Sequence, residues 1–369
     1  MRLRYFLCGA AAILVLALAA HFITPGPIAP LAVKVTGVAL APENTYQLRL
    51  RPLGSADQPN PEAVAIDSAH RVYSGSEDGW IYRTSLKPKT VYTRRWAHPG
   101  GYPIGMDFSP SSEELWVANY PLGLQRISHQ GDVVTVVTEF DNFPIGFADD
   151  VTVGSDNTVY FTDASRRFNP HTAAADEPFI LWELLEGRPN GRVLAYQPDT
   201  GETSVVIESA YFPSGIALTK DESALLFVEI TLNRIMRHWL SGPKAGNTEI
   251  FSQNLPGVPD DIYVREDGSV WVSLISTRDE LLDKWIQPYP WVKNLLLRLP
   301  NAWLMPLQYP QPGGSVLLLD DSGRPRCQFH LVPATIPANI AFDEQNLYVG
   351  KLAGVAPGYA PIAQLSQCD

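Results

Sequence analysis

The chain is short of the side chains that many enzyme classes depend on. Its 369 residues include 3 cysteines, 7 histidines and 4 methionines. His98, His129, His171, His238 and His330 are scattered, and none has a partner at metal-ligand spacing, so nothing supports a zinc-type centre. There is no G-x-S-x-G elbow, no P-loop and no dinucleotide-binding glycine fingerprint, which leaves serine-hydrolase and nucleotide-dependent chemistry unsupported. Lys and Arg total 28 against 39 Asp and Glu, a net charge of −11. With no basic stripe to neutralise phosphates, nucleic acid is excluded as a partner.

Long hydrophobic runs are also scarce, with one exception. From Phe6 to Ile23 the chain is apolar apart from His21, and Arg2 and Arg4 precede it. Those 18 residues approach the ~20 that span a bilayer. Two readings stand: a retained anchor, because the run continues through Phe22 and Ile23, and a cleaved signal peptide, because Ala17-Leu18-Ala19 fits a small-x-small site. The expected organisation is 1–24 membrane anchor or signal peptide, 25–44 linker and 45–369 six-bladed β-propeller, the last read from the repeat described below. Positive residues inside place that domain on the extracytoplasmic (periplasmic or luminal) side, single-pass if anchored and secreted if cleaved. In an oxidising compartment Cys327 and Cys368 can pair and pin the C-terminus to the last blade; equally, they can be two unrelated thiols.

What the chain does have is proline (32), glycine (27) and a repeat. PEAVAIDSAHRVYSGS from Pro61, PIGMDFSPSSEELWVAN from Pro103 and ADDVTVGSDNTVYFTD from Ala148 each read strand, polar turn, strand. PSGIALTKDESALLFVE from Pro213, PDDIYVREDGSVWVSL from Pro259 and PANIAFDEQNLYVGKL from Pro337 do the same. Six self-similar β units predict an all-β, six-bladed β-propeller. A β-sandwich would lack this unit-level self-similarity.

In a propeller the first strand of each blade lies nearest the axis, so equivalent positions form a ring. The residue after the leading Pro or Ala is Glu62, Ile104, Asp149, Ser214, Asp260 and Ala338; the next is Ala63, Gly105, Asp150, Gly215, Asp261 and Asn339. Carboxylates facing one narrow axis repel unless a cation or protons compensate. Oxygen-only ligands favour Ca²⁺, with Mg²⁺ or another divalent cation second. For any one of these aspartates, turn capping is an equal reading. Glu229 can point into the channel or sit solvated at a strand end.

Two insertions fall between second and third strands, on the face of these carboxylates. One runs from about Ala164 to Pro189, the other from about Ser276 to Pro312. In the second, a helical insertion in blade five, Leu281, Leu282, Trp285 and Ile286 suggest one helix and Trp291, Val292, Leu295, Leu296 and Leu299 another. A lid packed on the rim is the expectation; a lid that also touches membrane is the sharper alternative.

The segments FADDVTVGSDNTVYFTDAS, LLEGRPNGRVLAYQPDTGET, YFPSGIALTKDESALLFVEITLNRIMRHWLSGPKAG and NLPGVPDDIYVREDGSVWVSL resemble the strictosidine synthase-like family. The likeness is to its membrane-anchored branch, that of adipocyte plasma membrane-associated protein, within the SMP-30/gluconolactonase/paraoxonase group of six-bladed propellers. That group's axial calcium site implies Glu62 and Asp260 as ligands, with Asp149, Ser214 and Asp261 standing where Asn is usual. The paraoxonase catalytic histidine position is Ile104 here, and the strictosidine synthase glutamate position is Ala338, so condensation chemistry is not expected. The resemblance therefore implies a membrane-tethered, Ca²⁺-dependent hydrolase of a small-molecule ester or lactone. Asp149 or Asp260 would activate water, and Glu62, Asp149, Ser214, Asp260 and Asp261 would hold the metal. The alternative is a non-catalytic propeller that binds a small ligand or an envelope protein.

Overall fold

A computed structural model describes residues 26–34, 40–54, 57–87, 90–308 and 311–368. The expected anchor or signal peptide at 1–24 lies outside the described residues. Among the described residues no helix is long and apolar enough to cross a membrane.

The inner strands of six antiparallel sheets follow one another round a ring: Pro61–Ile66, Tyr102–Phe108, Ala148–Val153, Pro213–Leu218, Gly257–Val264 and Pro337–Phe342. The sixth touches the first, closing a six-bladed propeller. Each blade is covered on both faces by its neighbours, so its middle strands read as continuous apolar runs rather than alternating ones. ALLFVE, at Ala224–Glu229, is buried at every position. Outer strands face solvent; Val133–Val137 is largely exposed. Aromatic side chains fill the wedges between blades, as where Trp271 of blade five meets Phe342 of blade six at 5.2 Å between ring centroids. Each such buried ring contributes about 1.5–3 kcal/mol.

The N-terminal part of the propeller closes the ring twice. Asn44–Arg49 adds a parallel fifth strand to blade five, against Pro325–Val332. Arg51–Pro52 then supplies the outermost strand of blade six, beside Gly358–Pro361. Cys327 and Cys368 form a disulfide with Cα atoms 6.1 Å apart. Cys327 lies in the fourth strand of blade five, so the bond pins the C-terminus across the blade five–six boundary and not to the last blade itself.

Each inner strand begins with a β-bulge. In blade three the ladder passes from Ala148↔Asp163 to Val151↔Phe161, three residues against two. Blades four, five and six repeat this at Pro213/Ile216, Pro259/Ile262 and Pro337/Ile340, and blades one and two carry a two-against-one version. In blades three to six the residues freed from the ladder are those of the two rings read from the repeat; in blades one and two only Glu62 and Ile104 are freed. A bulge re-aims side chains and leaves backbone groups needing other partners.

The two insertions form a satellite layer on the face where inner strands begin. The first carries a helix at Phe179–Glu186; the second carries helical turns at Leu282–Ile286, Pro290–Leu296 and Asn301–Leu304. They share a small core of Phe168, Leu181, Trp182, Leu185, Leu297 and Leu304. Residues 26–34, expected as linker, are docked there. Ile28 joins that core, Leu31 N–H donates to Glu186 O at 2.8 Å, and Val33 N–H donates to Gln287 O at 2.9 Å.

Candidate functional site

The bulges leave backbone N–H groups that the ladder does not satisfy, and side chains take them up. Thr162 Oγ1 accepts from Asp150 N–H at 3.0 Å, and Ser273 Oγ accepts from Asp261 N–H at 2.9 Å. The carboxylates then reach sideways. Asp150 accepts from Ile216 N–H of blade four at 2.9 Å, and Asp261 accepts from Ile340 N–H of blade six at 2.7 Å. These two aspartates therefore staple neighbouring blades. That is the position-specific form of the capping reading, and Asp261, expected as a metal ligand, spends one carboxylate oxygen on it.

The first-position residues behave differently. Ser214 Oγ donates to Asp149 at 2.8 Å and lies 3.4 Å from Asp260, so one hydroxyl of blade four links carboxylates of blades three and five. Glu62 belongs to the same electrostatic unit. Burial and then repulsion from Asp260 and Asp149 push its pKa well above the usual range. Beside it, Tyr102 donates to Asn60 O at 2.7 Å, and burial with the nearby Glu62 charge raises the phenol. Burial and repulsion from Asp149 raise Asp260, while burial, offset in part by the Ser214 hydrogen bond, raises Asp149 to about 7. Asp150 and Asp261 are likewise raised, by burial first. The structure thus brings Glu62, Asp149, Ser214 and Asp260 together, with Asp150 and Asp261 in contact behind them.

Sequence reasoning passed over Asn339. It hydrogen-bonds the Asp261 carboxylate, yet its own Oδ1 is buried without a partner. The available signal was its place in the second ring, where every residue is small, acidic or an amide. Glu229 is not solvated at the strand end. It is buried, accepts from Tyr211 N–H at 2.9 Å and pairs with Arg234 at 2.5 Å. Ile104 and Ala338 are buried apolar positions that offer no acid or base.

As a test of fit, the donors round the axis are all oxygens, they carry mutually repelling charge, and one buried amide oxygen is orphaned. That chemistry fits a hard cation. Among the described residues, however, no three His, Cys, Asp or Glu side chains stand as a ready-made cage. A cavity of about 330 Å³ between blades one and two, beside Asp67, Arg71 and His129, opens on the opposite face and does not coincide with the ring.

The chain matches the profile described as strictosidine synthase over residues 149–243 and that described as strictosidine synthase-like, N-terminal, over residues 47–84. It is 32% identical to protein strictosidine synthase-like 13 of Arabidopsis thaliana, over 65% of this chain and 64% of that protein. Strictosidine synthase-like 4 of the same plant is 30% identical over 79% and 76%, and the adipocyte plasma membrane-associated protein of Salmo salar is 30% identical over 79% and 72%. Among solved structures, a gluconolactonase from Xanthomonas campestris superposes with a TM-score of 0.61 at 14% identity, covering 92% of this chain and 99% of that one. A calcium-binding protein, regucalcin, from Agrobacterium tumefaciens gives 0.57 at 13% identity, covering 86% and 95%. At such identities the likeness speaks for the fold.

Proposed function

The chain belongs to the strictosidine synthase-like family, and on that premise we propose that it is a divalent-cation-dependent hydrolase of lactones or aryl esters, tethered to a membrane by its N-terminal apolar segment. One observation carries this reading: Ser214 joins Asp149 and Asp260 beside Glu62 at one end of the propeller axis. Among the described residues no basic side chain offsets the half-buried Glu62, Asp149 and Asp260, so protons or a metal ion must relieve their repulsion. Glu62, Asp149, Ser214 and Asp260 would hold the ion, with the Asn339 amide oxygen available from the second ring. When bound, Ca²⁺ or another divalent ion would polarise an ester or lactone carbonyl.

The chain's own residues supply the rest. Asp149, held by Ser214, would take the proton from the attacking water, with Asp260 the second candidate. Ser214 fixes the Asp149 carboxylate in orientation. The insertions lie on the same face. The membrane-associated name of the salmon relative and the Cys327–Cys368 disulfide support an extracytoplasmic setting.

The test is a panel of γ- and δ-lactones and phenyl acetate, assayed with and without chelator. Turnover that is lost on chelation and in Asp149→Asn and Asp260→Asn supports the hydrolase. A flat panel, together with cation-dependent thermal stabilisation, moves the assignment to the second reading, a non-catalytic propeller that binds a small ligand or an envelope protein. That reading draws on the apolar Ile104 and Ala338 at positions where the resemblance places catalytic groups.

A further inference from the structure

We infer that the outer face of the blade-five insertion rests on the interface of a zwitterionic lipid bilayer. The inference rests on the proposed N-terminal tether and goes beyond it. The chain has nine tryptophans, and the only exposed ones are Trp285, Trp291 and Trp303, at 62%, 68% and 66%. All three lie in this insertion, and each sits four residues from an exposed leucine: Leu281 with Trp285, Trp291 with Leu295, and Trp303 with Leu307. On helical turns that spacing places each pair on one face. The opposite faces turn inward at Lys293, Leu297, Leu304 and Gln308, which are buried. The insertion is thus two-sided, with one face packed on the propeller and one presenting tryptophan and leucine outward. Soluble surfaces rarely keep contiguous apolar patches of that kind without an occupant.

The path of the chain identifies the occupant. The apolar run ends at Ile23, and from Gly26 the chain is docked on the insertion layer. Three residue steps span at most about 11 Å, so the end of that run stays within about that distance of the layer. A tether that ends so close leaves the layer at the bilayer surface, at the depth where tryptophan is enriched. Charge favours neutral lipid over anionic. Lys284 pairs with Glu280, Arg278 pairs with Asp283, Lys293 is buried and Arg298 is half-buried, so among the described residues of the insertion no basic cluster faces outward. The face that meets lipid is also the face on which Asp149 and Asp260 stand.

The experiment uses the full chain reconstituted in phosphatidylcholine vesicles whose acyl chains are brominated. Vesicle flotation reports the tether. Tryptophan quenching reports the insertion, because residues 1–25 contain no tryptophan. Expected is flotation with bromolipid quenching, which falls stepwise in Trp285→Phe, Trp291→Phe and Trp303→Phe and is lost in the triple variant. Adding anionic lipid should change the quenching little. Flotation without such quenching, with these residues open to aqueous acrylamide instead, overturns the insertion's role and leaves the tether standing. Shielding from both quenchers together with a dimer on cross-linking assigns the face to a second copy and overturns the proposal. Absence of flotation overturns the tether and the insertion's role together.

Discussion

The ammonium of Lys293 is buried in the insertion layer and donates to the carbonyl oxygen of Leu31 at 2.8 Å, joining the segment that leads into the propeller to the layer above its axis. Desolvation lowers this lysine to about 8 from its ordinary value near 10.5. Below pH 8 both folded and unfolded chains carry the proton; between about 8 and 10.5 the folded chain gives it up first. The unfolded state then binds more protons, so this residue adds stability as pH rises through that window. Relative to Lys293→Met, the wild-type melting temperature should therefore climb from pH 7.5 to pH 10. A difference that stays constant across that range removes the assignment.

The acidic ring has the opposite sign. Asp149 and Asp261 are raised to about 7, from an ordinary carboxylate value near 4, with burial as the main cause. In the metal-free protein the stability these groups hold at low pH is lost as pH rises between those values. In chelator, wild type should lose more stability between pH 5 and pH 8 than Asp149→Asn/Asp260→Asn. Millimolar Ca²⁺ should flatten the wild-type slope and leave the double variant unchanged. Differential scanning fluorimetry over that range decides it.

Close packing at the axis gives a third expectation. A Cβ on Gly105 would lie 2.5 Å from Asp150 Cα, and one on Gly215 would lie 2.5 Å from Asp261 Cα. The obstruction is backbone and cannot swing away. Gly105→Ala and Gly215→Ala should each cost about 1–3 kcal/mol or more, as overpacking does. Urea denaturation reads the loss directly, and variants as stable as wild type would contradict the packing.

The six blades were legible because each repeat opens with Pro or Ala and closes in an apolar strand, and that pattern survives divergence of everything between. The first ring was legible for the same reason: Glu62, Asp149, Ser214 and Asp260 share one offset, and offset becomes geometry in a propeller. The second ring was only half read. Asp261 reads as an extra ligand and Asp150 as a bare ring position, since a bulge that frees Ile340 N–H or Ile216 N–H in the next blade leaves no trace within the blade that supplies the carboxylate. The pairing of Gly105 with Asp150 and of Gly215 with Asp261 was the available clue, visible only when adjacent repeats are compared. The docking of residues 26–34 was hidden because its main bonds are backbone to backbone and impose no residue type.

The disulfide supplies a fourth expectation. Cys327 and Cys368 enclose 41 residues of sequence separation across the blade boundary. Replacing both with serine should cost about 2–4 kcal/mol, mainly by restoring freedom to the unfolded chain. The loss should appear equally when wild type is unfolded in reductant, and an unchanged midpoint would show that the bond is dispensable.

Because Asn44–Arg49 and Arg51–Pro52 complete blades five and six, the stretch of propeller synthesised first waits for the stretch synthesised last. A nascent chain that has emerged only through blade four keeps two unpaired strand edges at its head. The circle has no partial form that is closed, so quality control at the site of synthesis would meet either an open arc or a finished ring.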